Sequence, residues 1–328
     1  MNLSKFIKKA KKRFAADDLS TFGFRIIFFI FRHLIELFDS ISYSVKTRLV
    51  FRDRYIIRKI HGSKMRLDLD DPGIAKDLLL ARNREPFHTE LVKRLLKPGD
   101  VVYDIGSNIG YYALLEARIV GDKGRVYAIE PVPDNVKLLK KNIGLNNYKN
   151  ISVHNLAIGG QDRDDYIYLS KKSNWCSMER RGGNNSSKKI PVKVLTLDSF
   201  SQGNIYPDII RMDVEGYETE IIKGMKNILS GAKPLKIFME LHCCFLEDAG
   251  LGLLRELEKN NFKIKYFFRD RSSLMLNKSR LLRKIYYYLG KKINGVYEFC
   301  YSDISVGELL NLNKALNEEA FHFYFERE

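Results

Sequence analysis

The chain has 328 residues, and its Lys and Arg residues outnumber Asp and Glu by 16. This length allows one large domain or two modest ones, and a hydrophobic content of 45% excludes a chain that is disordered throughout. The positive charge favours an acidic partner, such as nucleic acid, an anionic membrane surface or an anionic substrate. The cysteines include an adjacent pair, Cys243 and Cys244, and form no C-x-x-C motif. This pattern argues against a disulfide framework or a structural zinc site and favours a reducing, cytosolic compartment.

The first 64 residues are the most basic part of the chain, with 15 Lys or Arg against 5 Asp or Glu. We interpret residues 1–64 as a basic helical extension before a domain at 65–328, whose core covers about 85–270. Residues 3–14 place apolar and basic side chains on different helical faces, which predicts an amphipathic helix on an anionic membrane surface. A helix docked on the domain, or a solvated tail, is the alternative. A second helical pattern covers residues 24–38, and its apolar run is far shorter than the about 20 residues that a membrane span needs.

Strand-like and helical segments alternate from residue 101 onwards, which predicts an α/β fold with a doubly wound, Rossmann-like, mostly parallel sheet. Short strand-like runs at 46–69 precede it. Between 164 and 200 the alternation stops, and two strands around a polar loop predict an excursion at the edge of the sheet. We also expect an amphipathic helix at 279–293 and a final antiparallel edge strand at 320–325. The predicted strands of the sheet are Val101–Ile105, Arg125–Ile129, Ile151–Ala157, Ile209–Met212 and Lys236–Leu241.

The turn after the first strand of the sheet carries the strongest signal. Residues 101–112 read VVYDIGSNIGYY, so an apolar strand ends near Asp104 and a turn of small residues opens a helix. Gly106 and Gly110 allow the backbone to approach a ligand closely, and the N-terminus of the helix offers unpaired N–H groups. The turn departs from the G-x-G-x-x-G dinucleotide motif, because Asn108 replaces the second glycine. A carboxylate at Asp104 would repel a pyrophosphate but attract the amino group of an amino-acid ligand, which favours S-adenosylmethionine over NAD.

The second strand of the sheet also ends in a carboxylate. Glu130 can accept hydrogen bonds from both ribose hydroxyls of a nucleoside, although NAD sites use the same device. A glutamate that caps the following helix is the alternative. Together with the preceding turn, Glu130 predicts a site for S-adenosylmethionine. The predicted cofactor-binding residues are Asp104, Gly106, Ser107, Asn108, Gly110, Glu130 and Asp213.

Acidic residues and a histidine follow the next two strands of the predicted sheet. Asp213 and Glu215 come directly after the fourth strand, and they converge only if the chain turns there. Glu240 and His242 stand at the end of the fifth strand, which would lie beside the fourth. We predict Asp213, Glu215, His242 and Glu240 as catalytic residues, with His242 or a carboxylate as general base. A histidine satisfied by its neighbours, or a divalent metal site, is the alternative, and we predict that no metal is required.

Residues 65–240 resemble the FkbM family of class I S-adenosylmethionine-dependent methyltransferases. Two positions depart from the family pattern, because Ser107 stands where Ala is usual and Arg211 where Lys is common. The resemblance implies the class I methyltransferase fold, S-adenosylmethionine as cofactor and oxygen as the acceptor atom, with sugars a common substrate class. It rests on Glu85-Pro86, the segment 98–112, A-I-E-P at 128–131, T-L-D at 196–198 and R-M-D-V-E-G-Y-E at 211–218.

These observations predict an O-methyltransferase that acts on a hydroxyl of a carbohydrate, a glycolipid or a related natural product. Its partner is then a small molecule or a glycan, and the basic extension favours a cytoplasmic protein in peripheral contact with the inner face of an anionic membrane. The net charge also invites a nucleic-acid methyltransferase. Enzymes of that kind that methylate amino groups usually carry N-P-P-Y or D-P-P-Y after the fourth strand, where this chain has D-V-E-G at 213–216. A non-catalytic, membrane-associated protein that retained the fold is a third hypothesis.

Overall fold

The computed structural model describes residues 19–47, 51, 53–170, 172–178, 185–268, 281–282, 284–285, 301–311 and 320–328. The helix predicted at 3–14 and most of the helix predicted at 279–293 lie outside these residues. The helices are α1 (Leu19–Val45), α2 (Ile74–Ala81), α3 (Pro86–Leu95), α4 (Tyr111–Val120), α5 (Pro133–Gly144), α6 (Leu197–Gln202), α7 (Glu218–Lys223), α8 (Lys226–Ser230), α9 (Cys243–Lys259) and α10 (Val306–Asn311). The strands are β1 (Tyr55–Ile60), β2 (Ser63–Asp68), β3 (Val101–Ile105), β4 (Arg125–Ile129), β5 (Ile151–His154), β6 (Ala157–Ile158), β7 (Arg163–Ser170), β8 (Asn185–Leu195), β9 (Ile209–Met212), β10 (Leu235–His242), β11 (Lys263–Phe268), β12 (Tyr301–Ile304) and β13 (Ala320–Arg327).

An eight-stranded sheet forms the centre of the described structure, in the order β12-β11-β13-β10-β9-β3-β4-β5. The five strands from β10 to β5 run parallel, whereas β13 runs antiparallel between β10 and β11. Strands β3 and β9 are buried along their whole length, because hydrophobic cores lie on both faces of the sheet. The predicted doubly wound α/β fold is therefore confirmed. Its strand order reverses between β3 and β9, the point at which open α/β sheets bind ligands.

One prediction about the edges of the sheet is wrong. The last strand is antiparallel as expected, but β13 lies inside the sheet, and β12 forms the edge beyond β11. The two strands predicted between 164 and 200 are present and follow the edge strand β5 in the chain. β7 and β8 pair with each other and form a separate three-stranded sheet with β6. This sheet has a small core of its own, in which Ile167 and Val192 pack against Val132.

The boundary predicted at residue 64 falls inside strand β2. Strands β1 and β2 form an antiparallel hairpin, and Ile60, Met65 and Leu67 pack into the same core as α3 and α4. The hairpin therefore shares a core with the helices of the domain, and the extent of the N-terminal extension stays a prediction. The helix predicted at 24–38 is confirmed as part of α1. None of the described helices combines the length and the apolar character that a membrane crossing requires.

The loops after β3 and β9 touch where the strand order reverses. Gly106 has φ +83°, and a Cβ atom added to it would lie 2.1 Å from the carbonyl oxygen of Asp213. A Cβ added to Gly110, which has φ +95°, would lie 2.5 Å from Cδ1 of Leu139. Each of these glycines admits a neighbouring protein atom, and the prediction that they also allow a ligand to approach stays a prediction. The close approach fixes the relative position of the two loops that border the cleft described below.

Gly106→Ala should lower the free energy of unfolding by about 1–3 kcal/mol, because the new side chain meets a backbone oxygen at a positive φ. Denaturant melts of the variant and the wild type measure this difference. Gly252→Ala in α9 is the matched control, since a Cβ there meets nothing within 4 Å and alanine favours a helix. Wild-type stability in Gly106→Ala would contradict the packing argument.

Candidate active site

A cleft lies at the carboxyl end of β3, β4 and β9, where the strand order reverses. It is open to solvent. The separate sheet supplies an apolar wall, while charged residues line the side of β9. Four of the predicted site residues, Asp104, Gly110, Glu240 and His242, are not among those that line it. The predicted site residues that line the cleft are Gly106, Ser107, Asn108, Glu130, Asp213 and Glu215.

The turn after β3 is held by its own side chains. Ser107 Oγ donates a hydrogen bond of 2.7 Å to the carbonyl oxygen of Asp104. Asn108 has φ +49°, a conformation that asparagine tolerates better than most residues, and its Oδ1 accepts from the N–H of Ile109 at 2.8 Å. Gly110 then caps the start of α4. The turn is therefore rigid before any ligand arrives.

Glu130 is buried at the end of β4, and three protein groups donate to its carboxylate. Oε2 accepts from the N–H of Asn108 at 2.9 Å, and Oε1 accepts from the N–H of Val132 at 2.9 Å and from the amide of Asn135 at 3.1 Å. A carboxylate has about four acceptor positions, so about one remains for a ligand. Burial raises the pKa of Glu130 to about 7 despite these donors. Because Val132 and Asn135 lie at the start of α5, Glu130 also caps that helix, which was the alternative to a ligand contact.

Asp104 occupies a different position from the one we expect, because its side chain is fully buried. Its Oδ1 accepts a hydrogen bond of 2.7 Å from Nη1 of Arg211, its neighbour across the parallel pair of β3 and β9. The same guanidinium lies 3.5 Å from Oδ2 of Asp213 and 3.9 Å above the centre of the Tyr112 ring. Arg211 thus balances the charge that we expect to attract an amino group. Oδ2 of Asp104 is buried and has no hydrogen-bond partner among the described residues, and a contact with the amino group of S-adenosylmethionine stays a prediction.

Asp213 lies between two arginines on the wall of the cleft. Besides Arg211, it faces Arg84, whose Nη2 lies 3.7 Å from Oδ2 of Asp213. Arg84 also forms a buried ion pair with Glu85. Burial and the neighbouring Glu240 raise the pKa of Asp213 to about 6 in spite of both guanidinium groups. Asp213 therefore carries a carboxylate whose charge is largely committed to protein partners.

The chain turns sharply after β9, which brings Asp213 and Glu215 to the same place. Glu215 has φ +56° and Gly216 has φ +92°, so the strand does not continue. One ligand atom each from Asp213, Glu215 and His242 lie within 4.8 Å of one another. A divalent cation fits such a spacing when the histidine is neutral. The prediction that no metal is required stays a prediction.

His242 lies among three carboxylates at the ends of β9 and β10. Its Nδ1 is 2.7 Å from Oε1 of Glu218, and its Nε2 is 3.4 Å from Oε2 of Glu215 and 4.0 Å from Oε1 of Glu240. Burial lowers the pKa of His242, but Glu215 and Glu218 outweigh it, so this pKa lies well above the ordinary value. Burial raises the pKa of Glu240 to about 7. The arrangement therefore holds an imidazolium ion between carboxylates, one of which titrates near neutral pH.

Sequence reasoning gave no role to two residues that the structure places at the site. Glu218 is the last residue of the segment R-M-D-V-E-G-Y-E at 211–218. It is fully buried, and its Oε1 contacts Nδ1 of His242. Its place in the motif was visible, but nothing in the sequence indicated that α7 would turn it towards β10. Arg84 carried no signal at all, because it precedes a helix far from the sheet motifs in the chain.

Comparisons with known proteins place these residues in context. Residues 104–264 match the family model described as the methyltransferase FkbM domain. The chain is 30% identical over 152 residues to the hexuronic acid methyltransferase AglP of Haloferax volcanii, a match that covers 44% of this chain and 56% of AglP. It thus spans about half the length of AglP. It is 32% identical over 184 residues to a protein of Sulfolobus acidocaldarius named probable cobalt-precorrin-6B C(15)-methyltransferase (decarboxylating), covering 47% of this chain and 88% of the relative.

Among solved structures, the chain is similar to the methyltransferase FkbM of Methylobacillus flagellatus. The two are 16% identical with a TM-score of 0.35, and the match covers 76% of this chain and 54% of the other.

Glu130→Ala should weaken the binding of S-adenosylmethionine by about 1.5–3 kcal/mol, because the ribose loses a charged acceptor. For the wild type, affinity should rise as the pH increases through about 7, since ionisation of Glu130 supplies the acceptor. Isothermal calorimetry measures both effects. Asp134→Asn is the matched control, because that exposed carboxylate pairs with Lys137 on α5. Wild-type affinity in Glu130→Ala would remove Glu130 from the donor site.

Proposed function

Because the chain belongs to the FkbM family of S-adenosylmethionine-dependent methyltransferases, we propose that it methylates a hydroxyl oxygen of a carbohydrate, a glycolipid or a related natural product. The observation that carries the proposal is the carboxylate cluster around His242, which borders the same cleft as the turn after β3. A hydroxyl must lose its proton as the new bond forms, so an O-methyltransferase benefits from a base at that place. The name of AglP, a hexuronic acid methyltransferase, supports a sugar as acceptor.

The cleft offers groups that fit the parts of S-adenosylmethionine, which supplies an activated methyl group on sulfur. Glu130 has an acceptor position for a ribose hydroxyl, and Val132 and Ile167 provide an apolar wall for the adenine ring. Arg211 lines the cleft, and its buried Nε has no hydrogen-bond partner among the described residues. We assign this Nε to the carboxylate of the donor. The donor is then held by its ribose and carboxylate rather than through a contact with Asp104.

We assign the general base to Glu215. Asp213 and Glu215 both line the cleft, but the carboxylate of Asp213 already faces two arginines, whereas Glu215 lies 3.4 Å from Nε2 of His242. His242 is a poor base in this setting, because its pKa is raised and it already holds a proton. Its role is to position Glu215, while Glu218 fixes the ring through Nδ1. Glu240, whose pKa is about 7, can share the proton near neutral pH.

A nucleic-acid acceptor is the second candidate, because the net charge of the chain is +16. The carboxylates of Asp213, Glu215 and Glu240 weigh against it, since they would repel phosphates close to the point of methyl transfer. A non-catalytic role does not explain why these carboxylates lie together beside the cleft. The assay that separates the three hypotheses uses S-adenosylmethionine with a labelled methyl group.

The full chain is incubated with glycan, lipid-linked glycan and RNA fractions, and the label in each fraction is counted. We expect label in a glycan fraction that resists mild alkali, because a methyl ether survives conditions that hydrolyse a methyl ester. Glu130→Ala should reduce the label in parallel with donor affinity. Label in RNA alone, or alkali-labile label alone, would overturn the proposal. Donor binding by calorimetry without transfer to any fraction would favour the non-catalytic role.

Glu215→Gln should lower kcat by about 10²–10⁴-fold at unchanged donor affinity, because the variant keeps the size of the side chain but loses the base. Steady-state kinetics with the acceptor found in the preceding assay measure this effect. Glu220→Gln is the matched control, since Glu220 lies on α7 but pairs with Lys223. A near-normal kcat in Glu215→Gln would mean that the proton leaves by another route.

His242→Gln should lower kcat less than Glu215→Gln does, because it removes the group that positions the base rather than the base itself. It should also shift the pH–rate profile, since the nearby carboxylates lose their cationic partner and their pKa values rise. An unshifted profile with an equal loss of kcat would assign proton removal to His242 instead.

A further inference from the structure

Helix α1 turns an apolar face away from the domain. Its large apolar residues at positions 27, 30, 34, 37, 38, 41 and 45 are between 46% and 56% exposed, and we call this set the α1 stripe. Their spacing of three and four residues places them on one side of the helix. At 1.5 Å per residue the α1 stripe is about 27 Å long. A continuous apolar surface of this length on a folded domain marks an interaction site.

The opposite face of α1 is the one that packs on the domain, and it contains polar groups. Ile35, Asp39 and Tyr43 are buried there at four-residue spacing. Tyr43 packs in a cluster with Leu79 of α2, and its hydroxyl donates a hydrogen bond of 2.6 Å to the carbonyl oxygen of Leu69. A helix that only covers a domain turns its apolar stripe inwards. In α1 this pattern is inverted, so the helix has two contact faces and the domain covers only one.

We propose that the α1 stripe binds the surface of an anionic lipid bilayer, with the helix axis parallel to that surface. The charge of the neighbouring chain supports lipid as the occupant. Six of the 15 basic residues of the region 1–64 lie at 5–13, directly before the helix, and anionic headgroups attract such a segment. A second copy of the chain could also cover the stripe, but it would bring together two molecules with a net charge of +16 each.

The contacts of α1 lead to the lining of the cleft. The hydroxyl of Tyr43 lies 3.1 Å from the carbonyl oxygen of Asp71. The carboxylate of Asp71 accepts a hydrogen bond of 2.6 Å from Ser173 Oγ, and Ser173 lines the cleft. A bilayer that contacts α1 would therefore lie near the cleft. Resting on the proposed function, this placement makes the acceptor a glycan anchored in the membrane, while lipid binding itself does not depend on methyl transfer.

The test measures binding of the full chain to vesicles of phosphatidylcholine alone and of phosphatidylcholine mixed equally with phosphatidylglycerol. The wild type should sediment with the mixed vesicles, and added salt should weaken this binding. Leu34→Glu with Ile41→Glu should weaken it by about tenfold or more, because two apolar anchors become charged. Leu34→Ser with Ile41→Ser separates loss of apolar contact from added negative charge, and it should also weaken binding. Ile57→Glu with Ile205→Glu is the matched control, since both residues are more than half exposed and lie outside α1.

Three results would overturn the proposal: no binding of the wild type to mixed vesicles, equal loss in the control pair, or wild-type binding by both α1 variants.

Light scattering after size exclusion tests the second copy, and a dimer that the Leu34→Glu, Ile41→Glu variant loses would assign the stripe to self-association. Methylation of a water-soluble acceptor should be the same in the α1 variants and the wild type. Vesicle binding without any methyl transfer would therefore overturn the proposed function and leave the lipid contact standing.

Discussion

The buried guanidinium of Arg211 joins the two halves of the site. It bonds to Asp104 on β3, faces Asp213 at the end of its own strand and stacks on Tyr112 of α4. Removal of one partner from such a buried set costs about 3–5 kcal/mol, because the remaining charge has no compensation. Arginine suits this position better than lysine, since its planar group can reach two carboxylates at once. The arginine at residue 211, where the family commonly has lysine, thus suits the point where the strand order reverses between β3 and β9.

Charge changes sign across a short distance within the cleft. The guanidinium groups of Arg84 and Arg211 both face Asp213. Glu215 and Glu240 lie next to the protonated His242. Burial raises the pKa of Asp213 and of Glu240, so these carboxylates titrate within the neutral range. Such a site can place a cationic methyl donor between an arginine that holds its carboxylate and an acidic group that accepts a proton.

The sequence predicts the parallel core well, because strands β3, β4 and β9 are apolar and end in recognisable turns. It also predicts that the acids after β9 meet His242, since neighbouring parallel strands end at the same edge. The sequence does not predict which side chains and strands pair when they are distant along the chain. The ion pair between Asp104 and its cross-strand neighbour Arg211 is an example, because pairing between strands distant in sequence is not visible in a single motif. The interior position of β13 escapes prediction for the same reason, because strand order depends on packing rather than on local pattern.

The position of β13 constrains the order in which the sheet can be assembled. β10 hydrogen-bonds to β13 from Leu235 to His242, and β11 pairs with the other edge of β13. Strands β10 and β11 therefore do not pair with each other in the sheet. Until Ala320–Arg327 has inserted, both strands expose an open edge of unpaired N–H and C=O groups. Insertion of this one strand therefore closes both open edges and joins β11 and β12 to the parallel part of the sheet.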